Sequence, residues 1–326
     1  MKTAYSIAQD TFFPITIGSY PATTVIKAVD AQARYGVHFP STGEVYVAKA
    51  HNMALPVLEA FDGVKIDTGE MLIEKMPTIK EAAEIQKLGI LEEIREAHER
   101  IKKLVDTGKY PEFRGLKVSI SGPGTLIHSV YNDTDIDDGD LLDAFATGIV
   151  EIAGYAIEAG AEVIQIDEPF LARSEKYRAK TLESLGILFQ QLKLRFGNKT
   201  KYVALHACHK HDEFLHQQIT GMAIDVIDME FMEFPNEHFS LVQNDKLQTT
   251  GKNIGIGVVS GHNEFVESDQ SITNHVYRIV KEYDPELVFL KPDCALKELD
   301  AGVAENKLKQ IQFARKKALE ILGIEA

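Results

Sequence analysis

Tryptophan is absent from the 326 residues, and cysteine occurs only twice, at Cys208 and Cys294. Two thiols cannot build the disulfide framework on which small secreted domains depend, so a reducing, cytoplasmic setting is expected. Basic residues are also in short supply. The 35 lysines and arginines face 49 aspartates and glutamates, a formal net charge of −14. Nucleic-acid surfaces need a basic stripe, so no such partner is expected. No apolar run approaches the 18 or so residues of a membrane span, and the opening MKTAYSIAQDTFFP has no signal-peptide core, which leaves no membrane association to expect. What the chain does have is 44% apolar residues, enough for a substantial core without covalent staples.

Eight short apolar runs are spread along it. They read PITIGSY (14–20), GVKIDTGE (63–70), LKVSISGP (116–123), AEVIQIDEP (161–169), KYVALHAC (201–208), DVIDME (225–230), NIGIGVVS (253–260) and ELVFLKPDC (286–294). Most are apolar along their length, as in a parallel sheet buried on both faces. Helical patterns lie between them. Leu142, Phe145, Ile149, Ile152 and Ala156 recur at three- and four-residue spacing before Gly160, and Leu308, Ile311, Ala314, Ala318 and Leu322 do the same near the end. Eight such units predict an α/β fold, a single (β/α)8 TIM barrel over 1–326 with residues 1–13 as an N-terminal extension. An open doubly wound sheet would carry a glycine-rich turn after its first strand, and Ile17-Gly18-Ser19-Tyr20-Pro21 is not one.

All eight strands of such a barrel end on one face, where its chemistry gathers. Here every run ends in something polar: Ser19, Glu70, Gly122-Pro123-Gly124-Thr125, Asp167-Glu168, His206 with Cys208, Glu230, His262 and Cys294. Wet loops account for some of these, but not for both cysteines, which prefer cores. His206 and Cys208 are two apart on a strand and share a face. Cys294 ends the eighth strand and can approach across the mouth. Two thiolates and an imidazole suit zinc, with Glu230 as a candidate oxygen ligand, and a replaceable fourth position is a catalytic arrangement. The competing readings are that the cysteines are buried packing and that Asp167 opens a loop as a helix cap. His209 and His211 are expected in the following loop and first helical turn, on the surface or behind the ligands.

VIQIDEPF, LHAC, DVIDME, GIGVVSGH and LKPDCALK, in that order, with IGSYP and GPGTLI before them, resemble the catalytic domain of cobalamin-independent methionine synthase over roughly residues 14–300. The chain is most similar to the short core forms that lack the N-terminal half. The resemblance implies a (β/α)8 barrel and a methyltransferase that forms methionine from homocysteine. It implies one zinc ion per chain, on His206, Cys208, Glu230 and Cys294. Homocysteine would rest on Ile17, Gly18 and Ser19, with its ammonium between Glu70 and Asp167, and His262 would handle protons. Folate users of the family carry a tryptophan shortly after GP-x-T, where this chain has Ser129. Without that aromatic platform, worth about 1 kcal/mol, the expected donor is methylcobalamin or another methylated corrinoid. No Asp-x-His-x-x-Gly segment is present to hold one tightly, so a separate corrinoid protein is the expected carrier. The alternatives are a folate-using synthase, or a zinc alkyltransferase acting on another thiol such as coenzyme M, for which an ammonium site has no purpose.

Overall fold

The computed structural model describes residues 12–46, 52–67 and 70–324. The expected extension at 1–13 therefore lies outside it except for Phe12 and Phe13, and Phe13 is fully buried. The strands are β1 (Phe61–Asp67), β2 (Glu70–Ile79), β3 (Lys117–Ser121), β4 (Tyr131–Asn132), β5 (Val163–Asp167), β6 (Tyr202–His206), β7 (Val226–Met229), β8 (Asn253–Val259) and β9 (Val288–Pro292). The helices of eight or more described residues are α1 (Val25–Arg34), α2 (Gly89–Asp106), α3 (Asp138–Glu158), α4 (Arg178–Phe196), α5 (Glu213–Thr220), α6 (Asp269–Glu282) and α7 (Ala301–Ile321). None is long and apolar enough to cross a membrane.

Six strands form a parallel sheet in the order β3-β5-β6-β7-β8-β9. Single parallel bridges then carry the ring from Leu290 to Ile15, from Thr16 to Phe39, and from Ser41 to Lys117. Residues 15–17 and 38–41 thus take the first two strand positions, and eight segments surround one axis. The run 63–70 is not the second strand. It belongs to an antiparallel hairpin of β1 and β2, in register from Phe61↔Ile79 to Asp67↔Glu70. Its side chains explain why: apart from Phe61 and Ala60 before it, most of β1 is exposed or half-buried, whereas a parallel barrel strand is covered on both faces. Val37, His38, Phe39 and Ser41 are buried instead. Pro40 lies within that segment and has no N–H to give, so only isolated bridges form there.

The helices cover the ring with the apolar faces that their spacing predicts. Leu142, Phe145, Ile149, Ile152 and Ala156 of α3 are all buried. The ring of Phe61 packs edge-on to Phe145 with centroids 5.3 Å apart. A Cβ at Gly148 would meet it at 2.2 Å, so this glycine is what lets the hairpin dock on α3. In α7 the buried stripe includes Leu308, Ile311, Ala314 and Ala318, but Leu322 lies past the helix end and is 37% exposed. The axis is plugged at its lower end by Phe39, Tyr202 and Phe289, whose centroids lie 5.1–5.6 Å apart. Tyr202 begins β6, so the plug closes the N-terminal side and leaves the C-terminal mouth open.

Candidate metal centre and active site

Above the plug the interior is charged. Lys117 donates to Gln165 Oε1 at 3.0 Å, and Lys291 pairs with Asp228 at 2.5 Å. All four are buried. Higher still, a cavity of about 320 Å³ opens at the strand ends, its wall including Gly18, Ser19, Asp167, His206, Cys208 and Cys294. His262 also lines it.

β6 delivers His206 at its last residue and Cys208 two further on, with His206 Nε2 2.9 Å from Cys208 Sγ. β9 delivers Cys294 from the other direction, and the two sulphurs lie 3.4 Å apart. β7 brings Glu230. One donor atom from each of His206, Cys208, Glu230 and Cys294 falls within 4.8 Å of all the others. The chain therefore gathers these four expected ligands at one point. Glu230 Oε1 lies 3.0 Å from His262 Nε2, while its Oε2 is buried with no hydrogen-bond partner. An unpaired buried carboxylate oxygen is costly, and a cation removes the cost. Two sulphurs, one imidazole nitrogen and one carboxylate oxygen are a donor set that fits zinc.

Further hydrogen bonds aim these ligands. Asp228 Oδ1 lies 2.7 Å from His206 Nδ1, which leaves Nε2 facing the sulphurs. Burial alone would raise the pKa of Asp228, but Lys291 and His206 hold it far below the usual carboxylate range. Burial opposes a charged His206, yet Asp228 outweighs it and lifts the imidazole to about 10. The Cys208 hydrogen bond holds the Cys294 thiol down to about 4, and the same bond pushes Cys208 up. Asp293 accepts N–H groups from Met232 (2.9 Å) and Glu233 (2.7 Å), tying the loop of one ligand to the strand end of another. His211 is buried rather than on the surface. Its backbone N–H donates to His238 Nε2, and His238 Nδ1 bonds the Glu230 carbonyl at 2.7 Å. His209 does reach the cavity wall, with a left-handed backbone at φ 71°.

Asp167 lines the cavity and receives Gln165 Nε2 at 2.7 Å. Gly18 and Ser19 line it too, and Ser19 Oγ is buried without a partner. Ile17 is fully buried and not on the wall. Glu70 is exposed on the hairpin and does not reach the cavity. The glutamate on the wall is Glu44, which sequence reasoning missed. It follows the true second strand position in the turn Gly43-Glu44, with φ 84° and 54°. The Tyr20 N–H donates to the Gly43 carbonyl at 3.1 Å, fixing that turn beside Ser19. Burial, then the nearby Asp167, raises the Glu44 carboxyl to about 7.

Residues 81–317 match the family described as cobalamin-independent synthase, catalytic domain. The chain belongs to that family. Methionine synthases of Saccharolobus islandicus and Saccharolobus solfataricus are 28% and 30% identical to it over 193 residues, 59% of this chain. The chain spans about 55% of the length of these curated relatives. Among solved structures, the B12-independent methionine synthase from Shewanella sp. W3-18-1, in complex with selenomethionine, gives a TM-score of 0.70 at 16% identity, covering 99% of this chain and 91% of that one. A methyltransferase from Methanosarcina mazei gives 0.60 at 13%, covering 94% of each. At those identities the likeness speaks for the barrel alone. The synthase-family match takes in the four-residue cluster, Asp167 and His262, whereas Ser19 and Glu44 precede it.

Proposed function

We propose that the protein is a methyltransferase that forms methionine from homocysteine, with zinc on His206, Cys208, Glu230 and Cys294 and a methylated corrinoid as donor. The observation that carries this reading is the convergence of those four donors on one point, three of them on the wall of a cavity that Glu44 and Asp167 also line. Zinc in such a site holds a thiol as the thiolate at neutral pH, where a free thiol is only a few per cent ionised.

The chain's own groups do the rest. Glu44 and Asp167 receive the substrate ammonium, replacing the expected Glu70–Asp167 pair. Burial raises both carboxyls, helped at Glu44 by the nearby Asp167, and a bound cation offsets that cost. Ser19 offers its unpartnered hydroxyl. These contacts orient the amino acid so that its sulphur points towards the cysteines, the kind of positioning that lowers a bimolecular barrier. His262 stands at the cavity edge on Glu230 and is placed to pass the thiol proton to solvent. In the transfer itself a sulphur–carbon bond forms and the donor's cobalt–carbon bond breaks, its electron pair staying on cobalt. The lack of tryptophan removes one means of stacking a pterin and favours the corrinoid.

The test is a pair of assays on zinc-loaded protein with homocysteine, one supplied with methylcobalamin and the other with methyl-tetrahydrofolate. Methionine from methylcobalamin alone is expected. If methionine forms from folate alone, the donor assignment falls. If homocysteine leaves the visible spectrum of a cobalt-substituted protein unchanged, the acceptor is wrong.

A further inference from the structure

Lys297 lies on the cavity wall, three residues past Cys294. The N–H of its neighbour Leu296 donates to the Ser19 carbonyl at 3.1 Å, stitching the turn after β9 to the end of the first strand position. Lys297 and Ser19 thus stand side by side on the same wall. The other lysines of the wall are committed: Lys117 to Gln165, and Lys291 to Asp228 and two backbone carbonyls. Among the described residues Lys297 has no hydrogen-bond or ion-pair partner, although it is half-buried. Ser19 Oγ is buried and equally unpartnered. The one arginine on the wall, Arg173, is exposed.

The cavity therefore holds two kinds of recognition group. Glu44 and Asp167 supply acceptors and negative charge. Lys297 and Ser19 supply a free cationic donor and a free hydroxyl donor, and Lys297 is near enough to Glu44 to lower its carboxyl against the effect of burial. A thiol bearing only an amine satisfies the first set and leaves the second unmatched. A zwitterionic amino acid satisfies both.

We propose that Lys297, acting with Ser19, receives the α-carboxylate of the acceptor and restricts it to zwitterionic α-amino thiols. This rests on the thiol-transfer reading above and names the substrate class that the site selects. A charge-assisted hydrogen bond of this kind corresponds to roughly 10–100-fold in affinity.

The experiment titrates cobalt-substituted protein with L-homocysteine and with 3-aminopropane-1-thiol, which keeps the thiol and amine at the same spacing but has no carboxylate. Sulphur-to-cobalt absorption reports binding without turnover. The unsubstituted protein is expected to prefer homocysteine roughly 10–100-fold. Lys297→Met and Lys297→Gln should erase that preference while leaving the aminothiol within about twofold, and Lys297→Arg should restore most of it. A preference unchanged in Lys297→Met and Lys297→Gln, or none in the unsubstituted protein, would overturn the role of Lys297 and leave thiol transfer standing. Failure of both thiols to ligate cobalt in the unsubstituted protein would overturn the thiol-transfer reading, and this inference with it.

Discussion

His262 Nε2 stands 3.0 Å from Glu230 Oε1, while the second oxygen of the same carboxylate is buried with no partner. One side chain therefore faces a histidine on one side and the cysteine cluster on the other. The hydrogen bond, with burial working against it, holds His262 charged up to about 9. If His262 acts on protons and not on the metal, His262→Asn should keep bound zinc within about tenfold of the parent affinity while methionine formation falls about 10²–10⁴-fold. Glu230→Gln should lose zinc and activity together. Metal content after dialysis, set beside turnover, separates the two.

Asp228 belongs to two pairs, with His206 at 2.7 Å and with Lys291 at 2.5 Å. Asp228→Asn should weaken zinc binding about 10–100-fold by loosening the imidazole. It should also cost about 3–5 kcal/mol in stability, because it strands a buried lysine. Adding Lys291→Met removes the stranded charge. The double variant should regain most of the melting temperature but not the zinc affinity, a split that calorimetry and chelator competition can read.

The cluster was legible in the sequence because each ligand ends a strongly apolar run, and a parallel barrel sends all such ends to one face. The second strand was not. Its segment VHFPS is short and broken by Pro40, while GVKIDTGE looks more like a strand and does form one, in the hairpin. That single misplacement put the expected acid at Glu70, which is off the cavity, and passed over Glu44, which lines it. The interior lysines were hidden for another reason. Lys117 and Lys291 sit inside apolar runs, where a sequence gives no sign that a charge points inward.

The reassignment has a direct consequence. Glu44→Gln should weaken homocysteine binding about 10–100-fold, and Asp167→Asn should do the same. Glu70→Gln, on an exposed position of the hairpin, should change it less than about twofold. Isothermal titration of the zinc-loaded variants measures all three. Equal losses in Glu44→Gln and Glu70→Gln would mean that the hairpin closes over the cavity.

Metal affinity should rise steeply with pH. In the metal-free protein near neutrality Cys294 is a thiolate, Cys208 keeps its proton, and His206, lifted to about 10, is an imidazolium. Ligation needs a second thiolate and a neutral imidazole. Two protons must leave for each ion bound, so the apparent affinity should gain about 100-fold per pH unit between roughly pH 6 and 8. Competition against a chelator of known proton stoichiometry gives the slope. A slope of zero would mean that the cluster is already deprotonated.

Gly257 tests whether the ligand loops act as one unit. It lies in β8, between the strands that carry Glu230 and Cys294, and a Cβ there would fall 1.6 Å from Asp293 Oδ1 and 2.8 Å from its Cα. Gly257→Ala must therefore push Asp293 aside. The Met232 and Glu233 amides would lose their acceptor, and the strand end bearing Cys294 would shift with it. Crowding and two unmet N–H groups together should cost about 2–4 kcal/mol. Asp293→Asn keeps the volume but turns one acceptor oxygen into a donor, so it should cost less, about 1–2 kcal/mol. Both variants leave all four ligands in the chain. If Asp293 only fills space, Asp293→Asn should bind zinc as the parent does. If it holds Glu230 and Cys294 in register, zinc affinity should fall at least tenfold in both, with the larger loss in Gly257→Ala.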